Sequence, residues 1–211
     1  MTDSFKVVKI KKTRGRCLRL LTNRGEFSIA RDVFDRYRLK SGDIVGNDKM
    51  NRILHQSGLS SARHYADYLL SGRNYSRGLL RARMIKKGYD PGVIDEIISE
   101  LTNQGWLNDT NYAREAIQAM LRHRPAGKTY LVGWLQSKHI ARELAEKLVE
   151  EAMADIDEGE LAMRILRRRW RYFSKFDLET ARRKAYNYLS RRSISYGSAK
   201  MAFERIIEDE S

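Results

Sequence analysis

Two sets of carboxylates have the spacing to meet on one helix face: Asp90, Asp95 and Glu96, and Glu143, Glu146 and Glu150. Paired carboxylates whose pKa values are pushed apart can act as general acid and base. Both sets also fit solvated helix surfaces with partners one turn away, and this plainer reading is preferred. His55, His64, His123 and His139 fall in four separate segments, and Cys17 is the only cysteine, so no metal-ligand spacing is present. Neither GxxxxGK[ST] nor GxGxxG occurs, so no phosphate cradle for a nucleotide is implied. The chain is therefore not expected to be an enzyme, and no metal or cofactor is expected.

The cations offer more. Arg77, Arg81, Lys86 and Lys87 surround one predicted helix, and Arg122, Arg124 and Lys128 border the loop Pro125-Ala126-Gly127. Arg167, Arg168, Arg169, Arg171, Lys175, Arg182, Arg183, Lys184, Arg191 and Arg192 crowd the last quarter, with Tyr130, Trp134, Trp170, Tyr172 and Phe173 interleaved. Cations with aromatics suit phosphate contacts combined with base stacking. The alternative is a solvated face over core aromatics, which is the preferred reading for Trp134. Arg167, Arg168, Arg169 and Arg171 stand almost consecutively, so on a helix they would splay around its circumference. Glu158, Glu160, Asp177 and Glu179 are too few to neutralise them together with Arg182, Arg183 and Lys184. The run is thus expected to face a partner rather than to support the fold.

These groups are carried by 211 residues with 41 Lys and Arg against 27 Asp and Glu, a formal charge of +14. The charged fraction is 32% and the apolar fraction 42%, against ~25% and ~45–50% in an average soluble domain. Such a chain is poorly suited to one thick core; an elongated stack of small helical units with thin seams fits better. With only Pro91 and Pro125, most of it is free to be helical. Its apolar stretches fall short of the ~18 residues of a membrane span, and the start, MTDSFKVVKIKKTRGR, has no apolar signal region. A cytoplasmic location is expected, with Cys17 a buried structural thiol. Residues 1–57 carry 14 basic and 6 acidic residues, and 156–211 carry 13 and 9, while 109–155 are balanced at 7 and 7. The positive ends point to a polyanion or an acidic protein surface.

The pattern begins as β structure. Phe5–Lys12 mixes β-branched and basic residues as an exposed strand does. Thr13-Arg14-Gly15-Arg16 is a turn, residues 17–21 form a second strand, and Thr22-Asn23-Arg24-Gly25 leads into a third at residues 26–30. A short helix from Asp32 to Arg38 and a strand ending at Val45 complete a small β-rich module, residues 1–57. From Gly58 the period becomes 3.6, with Ser60 and Ser61 as helix caps. Three-helix units are then expected over 58–108, 109–155 and 156–211. Aligning Tyr89 with Ile140 and Ile194 brings Leu80, Leu131 and Ala185 into register, then Met84, Leu135 and Leu189. The third helices match at Ile94, Ala145 and Ala199, at Ile97, Leu148 and Ala202, and at Ile98, Val149 and Phe203. Ala66, Ala113 and Ala162 match in the first helices, and their distance to the aligned residue grows from 23 to 27 to 32. The fold expected is mainly α: tandem three-helix repeats in an elongated curved stack behind a β-rich module, each unit stabilised largely by its neighbours.

Three strings carry a family resemblance. They are Leu80-Arg81-Ala82-Arg83-Met84-Ile85-Lys86-Lys87-Gly88-Tyr89-Asp90, Val93-Ile94-Asp95-Glu96-Ile97-Ile98, and Gly105-Trp106-Leu107-Asn108-Asp109 followed by Tyr112-Ala113-Arg114. They resemble the first repeat of the RecX family of bacterial recombinase regulators; the β-rich front is similar to the extension many members carry. The motif loosens after residue 155, where it becomes Arg191-Arg192-Ser193-Ile194-Ser195-Tyr196. The resemblance implies a non-enzymatic protein that lies in the groove of the RecA filament on DNA; a monomer is expected. There it would limit ATP hydrolysis, strand exchange and co-protease activity in DNA repair, recombination and the SOS response. Weak, sequence-independent DNA binding and no membrane contact go with it. A second reading is a DNA-binding transcription or architectural regulator acting without RecA. It rests on Ile29-Ala30-Arg31-Asp32-Val33 and Leu39-Lys40-Ser41-Gly42-Asp43-Ile44-Val45, which loosely resemble swapped-hairpin regulators.

Overall fold

The computed structural model describes residues 4–13 and 15–210. Arg14, in the expected first turn, lies outside the described residues. The chain divides into two compact units, residues 1–107 and 108–211.

The first unit opens with an antiparallel sheet of order β3-β2-β1-β4, formed by β1 (Ser4–Lys12), β2 (Cys17–Thr22), β3 (Gly25–Ala30) and β4 (Ile44–Gly46). The β2–β3 turn is tied by Thr22, whose Oγ1 donates to the Gly25 carbonyl and accepts from the Arg24 N–H. Helix α1 (Arg31–Tyr37) follows β3. Alternation puts Val7, Leu20 and Ile29 on the inner sheet face, where they pack with Val33, Met50 and Ile53. Cys17 is half-buried rather than buried, with its Sγ 3.8 Å from Ser61 Oγ.

The expected helix start at Ser60 is corrected. Helix α2 begins at Asn47 and runs unbroken to Leu70, so the expected boundary at Gly58 falls inside it. Its first half carries Met50 and Ile53 to the sheet, and its second half carries Ala62 and Ala66 to α3 (Arg77–Lys87) and α4 (Pro91–Asn103). Ser57, buried between the two halves, accepts from the Ala30 N–H at 2.7 Å. Ser60 donates to the Asp32 carboxylate, and the Ser61 carbonyl accepts from Tyr89 Oη; neither serine caps a helix.

The second unit contains α5 (Asp109–His123), α6 (Lys128–Gln136), α7 (Arg142–Met153), α8 (Glu158–Arg167), α9 (Trp170–Phe173), α10 (Leu178–Ser190) and α11 (Tyr196–Glu210). One continuous core runs from Ala113 to Ile206, so the second and third repeats share their apolar seam. The registered positions line the cores, all buried except the half-buried Tyr89 and Ile98. Among the described residues, the repeats are α2–α4, α5–α7, and α8 with α10 and α11. The growing first-to-second helix distance ends in α9 and a longer α10.

All three second helices end the same way. Gly88, His139 and Ser193 adopt φ of 90°, 59° and 56°. The next N–H, on Tyr89, Ile140 or Ile194, donates back to Met84, Leu135 or Leu189 at 3.2 Å. This is a Schellman ending. It turns the chain so that the aligned residue enters the seam and the third helix starts at once.

Candidate functional site

The candidate cations of the first repeat sit on α3. Arg77 stands in its first turn and is itself partnered. Arg81 pairs with Asp95 of α4, and its hydrogen bond holds the Asp95 carboxyl below the usual aspartate range. Lys86 and Lys87 lie in the last turn, where cations complement the helix dipole. Lys87 Nζ is 5.9 Å from the Tyr65 ring centroid. The carboxylates considered for acid–base work serve other ends: Asp90 caps α4, Glu96 meets His55, Glu146 meets Arg142 and Glu150 meets Lys128. Among the described residues there is no group of three or more His, Cys, Asp or Glu placed to hold a metal ion. No helix among them is long and apolar enough to cross a membrane.

The arginine run of the third repeat needs a correction. Its residues do not share one helix: α8 stops at Arg167, and Arg168 and Arg169 form a joint before α9. Three of the four are engaged within the chain. Arg167 pairs with Asp209 at 2.7 Å. Arg168 donates from Nη1 to the His123 carbonyl at 2.9 Å and from Nη2 to the Arg122 carbonyl at 2.7 Å. Arg169 lies 5.6 Å and 5.0 Å from the ring centroids of Tyr172 and Tyr188. Arg171 alone has no side-chain hydrogen bond, ion pair or ring contact among the described residues.

Carbonyl acceptors explain the difference. Helix α5 ends at Arg124 with φ −141°, without a glycine to turn its last carbonyls onto the helix's own N–H groups. Arg164 of α8 and Arg168 just after it supply donors instead, Arg164 reaching the Leu121 carbonyl at 3.2 Å. A count of acids cannot find such partners; the one local signal is the missing glycine in Arg122-His123-Arg124-Pro125.

Arg192 is also a structural clamp. Its Nη1 donates to the Pro125 carbonyl at 3.0 Å, and its guanidinium carbon sits 4.8 Å from the Tyr188 ring centroid. Lys128 Nζ lies 2.8 Å from both oxygens of Glu150. Arg122, Arg124, Arg182, Arg183 and Arg191 are exposed, and their side chains have no hydrogen-bond or ion-pair partner among the described residues. Arg182 and Arg183 line a cleft of about 840 Å³ with Tyr186, Asn187 and Tyr196. Trp134 packs half-buried against the core, with Lys138 Nζ 5.6 Å from its ring. Trp106, in the turn before α5, is 68% exposed and was not among the expected contact residues.

The described geometry has close counterparts. The family model for the RecX first three-helix domain matches residues 62–101, which cover the last part of α2, all of α3 and most of α4. Regulatory protein RecX of Streptococcus pneumoniae serotype 19F (strain G54) is 25% identical over 201 residues, 95% of this chain and 76% of that protein. A crystal structure of regulatory protein RecX superposes with a TM-score of 0.63 at 17% identity, covering 95% of this chain and 99% of that one. The crystal structure of RecX from Lactobacillus salivarius gives 0.56 at 19%, covering 70% and 96%. Those two likenesses speak for the fold alone. Regulatory protein RecX of Syntrophotalea carbinolica (strain DSM 2380 / NBRC 103641 / GraBd1) is 30% identical over 131 residues, 60% of this chain and 84% of the relative. Identity of that order over most of a relative, joined to the matched first repeat, makes this chain a member of the RecX family of regulatory proteins.

Proposed function

We propose that this chain binds the filament RecA forms on DNA, lying in its groove, and restrains ATP hydrolysis, strand exchange and co-protease activity. It does so as a monomer, in the cytoplasm, without catalysis of its own, as part of DNA repair, recombination and the SOS response. The observation that carries the reading is family membership, with the match to the first three-helix domain at its centre. The charge is compatible: +14 overall, with exposed arginines on several elements. Cations of this kind speed encounter with a polyanionic filament and add weak, sequence-independent affinity for the DNA itself. Arg122, Arg124, Arg171, Arg182, Arg183 and Arg191 can contact a partner without breaking an internal hydrogen bond. Arg81, Lys128, Arg167, Arg168, Arg169 and Arg192 would contribute field while holding the fold.

Sedimentation tests the binding. RecA filaments assembled on long single-stranded DNA with a slowly hydrolysed ATP analogue should carry the protein into the pellet well beyond the amount carried by DNA alone. Equal amounts in the two pellets would leave only a DNA-binding protein.

A further inference from the structure

A cleft of about 310 Å³ opens in the second unit beside the α5–α6 loop, with His123, Arg124, Tyr130, Arg168, Tyr188 and Arg192 in its walls. Among the described residues, no carboxylate lines it. Four other clefts each have at least one carboxylate in the lining beside their arginines: Glu179 with Arg182 and Arg183, Glu100 with Arg63, Asp157 and Glu160 with Arg164, and Glu146 with Arg142. Three guanidiniums thus converge here with no anion among the lining residues.

Two of them are fixed by neutral acceptors, Arg168 by the Arg122 and His123 carbonyls and Arg192 by the Pro125 carbonyl. A carbonyl orients a guanidinium without cancelling its charge, and a guanidinium has five N–H donors, more than either residue spends. Arg124 spends none of its side-chain donors within the described residues. Like charges held together repel, and an anion entering between them reverses that cost. Guanidinium forks match the paired oxygens of phosphate. Tyr188 is already covered, lying within about 5 Å of both Arg169 and Arg192. Tyr130, 37% exposed in the cleft wall, still has an open ring.

We propose that this cleft is a phosphate-binding subsite for single-stranded nucleic acid. One backbone phosphate sits among Arg124, Arg168 and Arg192, and the adjoining base stacks on Tyr130. This deepens the function proposed above and rests on it for the source of the strand. A protein carboxylate would satisfy the guanidiniums but leave the ring unused, so the strand is the better match.

Fluorescence anisotropy of a labelled oligothymidylate, titrated with the full chain and no recombinase, tests the subsite. Arg124→Ala and Tyr130→Ala remove groups that hold no internal hydrogen bond among the described residues, and Lys175→Ala removes an equal charge elsewhere in the unit. Arg124→Ala should weaken binding about fivefold or more and lower the slope of log K against log salt by about 0.7, one phosphate's share on a single strand. Tyr130→Ala should weaken it about fivefold or more with the slope unchanged. Losses no larger than that of Lys175→Ala, or a parent that fails to bind the oligomer at low salt, overturn the subsite. So does normal oligomer binding by variants that no longer restrain RecA, which would assign the cleft to a protein carboxylate. If the parent leaves RecA hydrolysis untouched while the cleft variants lose the oligomer as expected, the functional reading fails and the subsite stands.

Discussion

Gly127 faces the carbonyl of Ser193 so closely that a Cβ on Gly127 would lie 2.0 Å from its oxygen. The approach is drawn in by the Gly127 N–H, which donates to the Arg192 carbonyl at 2.7 Å, and Arg192 returns a hydrogen bond to the Pro125 carbonyl. The start of α6 in the second repeat is thereby locked to the end of α10 in the third. The two repeats share a core because their backbones meet at this point.

Gly127→Ala should therefore destabilise the second unit by about 2 kcal/mol, since the obstacle is backbone and cannot rotate away. Gly58→Ala should do the reverse. It sits inside α2, where the added Cβ would meet Val93 at an ordinary 3.5 Å, and an alanine there should gain about 0.5–1 kcal/mol. Urea unfolding of both variants gives the two signs.

The shared helix ending makes a second pair of opposite changes. Gly88 meets the left-handed conformation without a Cβ, while Ser193 meets it with one. Gly88→Ala should cost about 1 kcal/mol and Ser193→Gly should gain about 0.5 kcal/mol, read from denaturation midpoints. Equal shifts in the same direction would contradict the assigned backbone geometry.

Arg168→Ala and Arg171→Ala remove the same charge from the same run with different expected results. Arg168 closes two carbonyls at the α5 terminus, so its loss should cost about 1 kcal/mol. Arg171, which holds no such contact among the described residues, should change stability by no more than about 0.5 kcal/mol. Thermal melts under one buffer decide the comparison.

Glu158 sets an acid sensitivity. Burial alone would raise its pKa, but hydrogen bonds from Ser195 Oγ at 2.5 Å, Ser198 Oγ at 2.7 Å and the Ser195 N–H outweigh it and hold the carboxyl below the ordinary 4.5. Its folded value is depressed, so its contribution is present above the unfolded value and is lost as pH falls through the folded one. The melting temperature of the parent should fall more steeply below pH 4.5 than that of Glu158→Gln. Parallel curves would remove Glu158 from the α8–α11 junction.

The repeat was legible because buried positions recur at fixed offsets whatever the surface does; Leu80, Leu131 and Ala185 align in sequence and are all buried. The start of α2 was not. Gly46 caps it without a side-chain hydrogen bond, and Gly58, read as punctuation, sits in the helix interior. The candidate site was legible in its charges and not in their partners. Arg168 and Arg192 spend donors on carbonyls 45 to 67 residues away in the chain, and no pattern of acidic residues announces a carbonyl. That is why an apparently unneutralised arginine run is partly a set of clamps, while less crowded Arg124 is among those left open.

Restraint of RecA by this protein would show in ATP hydrolysis by RecA on single-stranded DNA as the protein is titrated in at fixed salt. The rate should fall progressively, and at micromolar protein the fall should exceed what the same concentration of an unrelated protein of similar charge produces. An unchanged rate throughout, with RecA and DNA shown to be assembled, would contradict it.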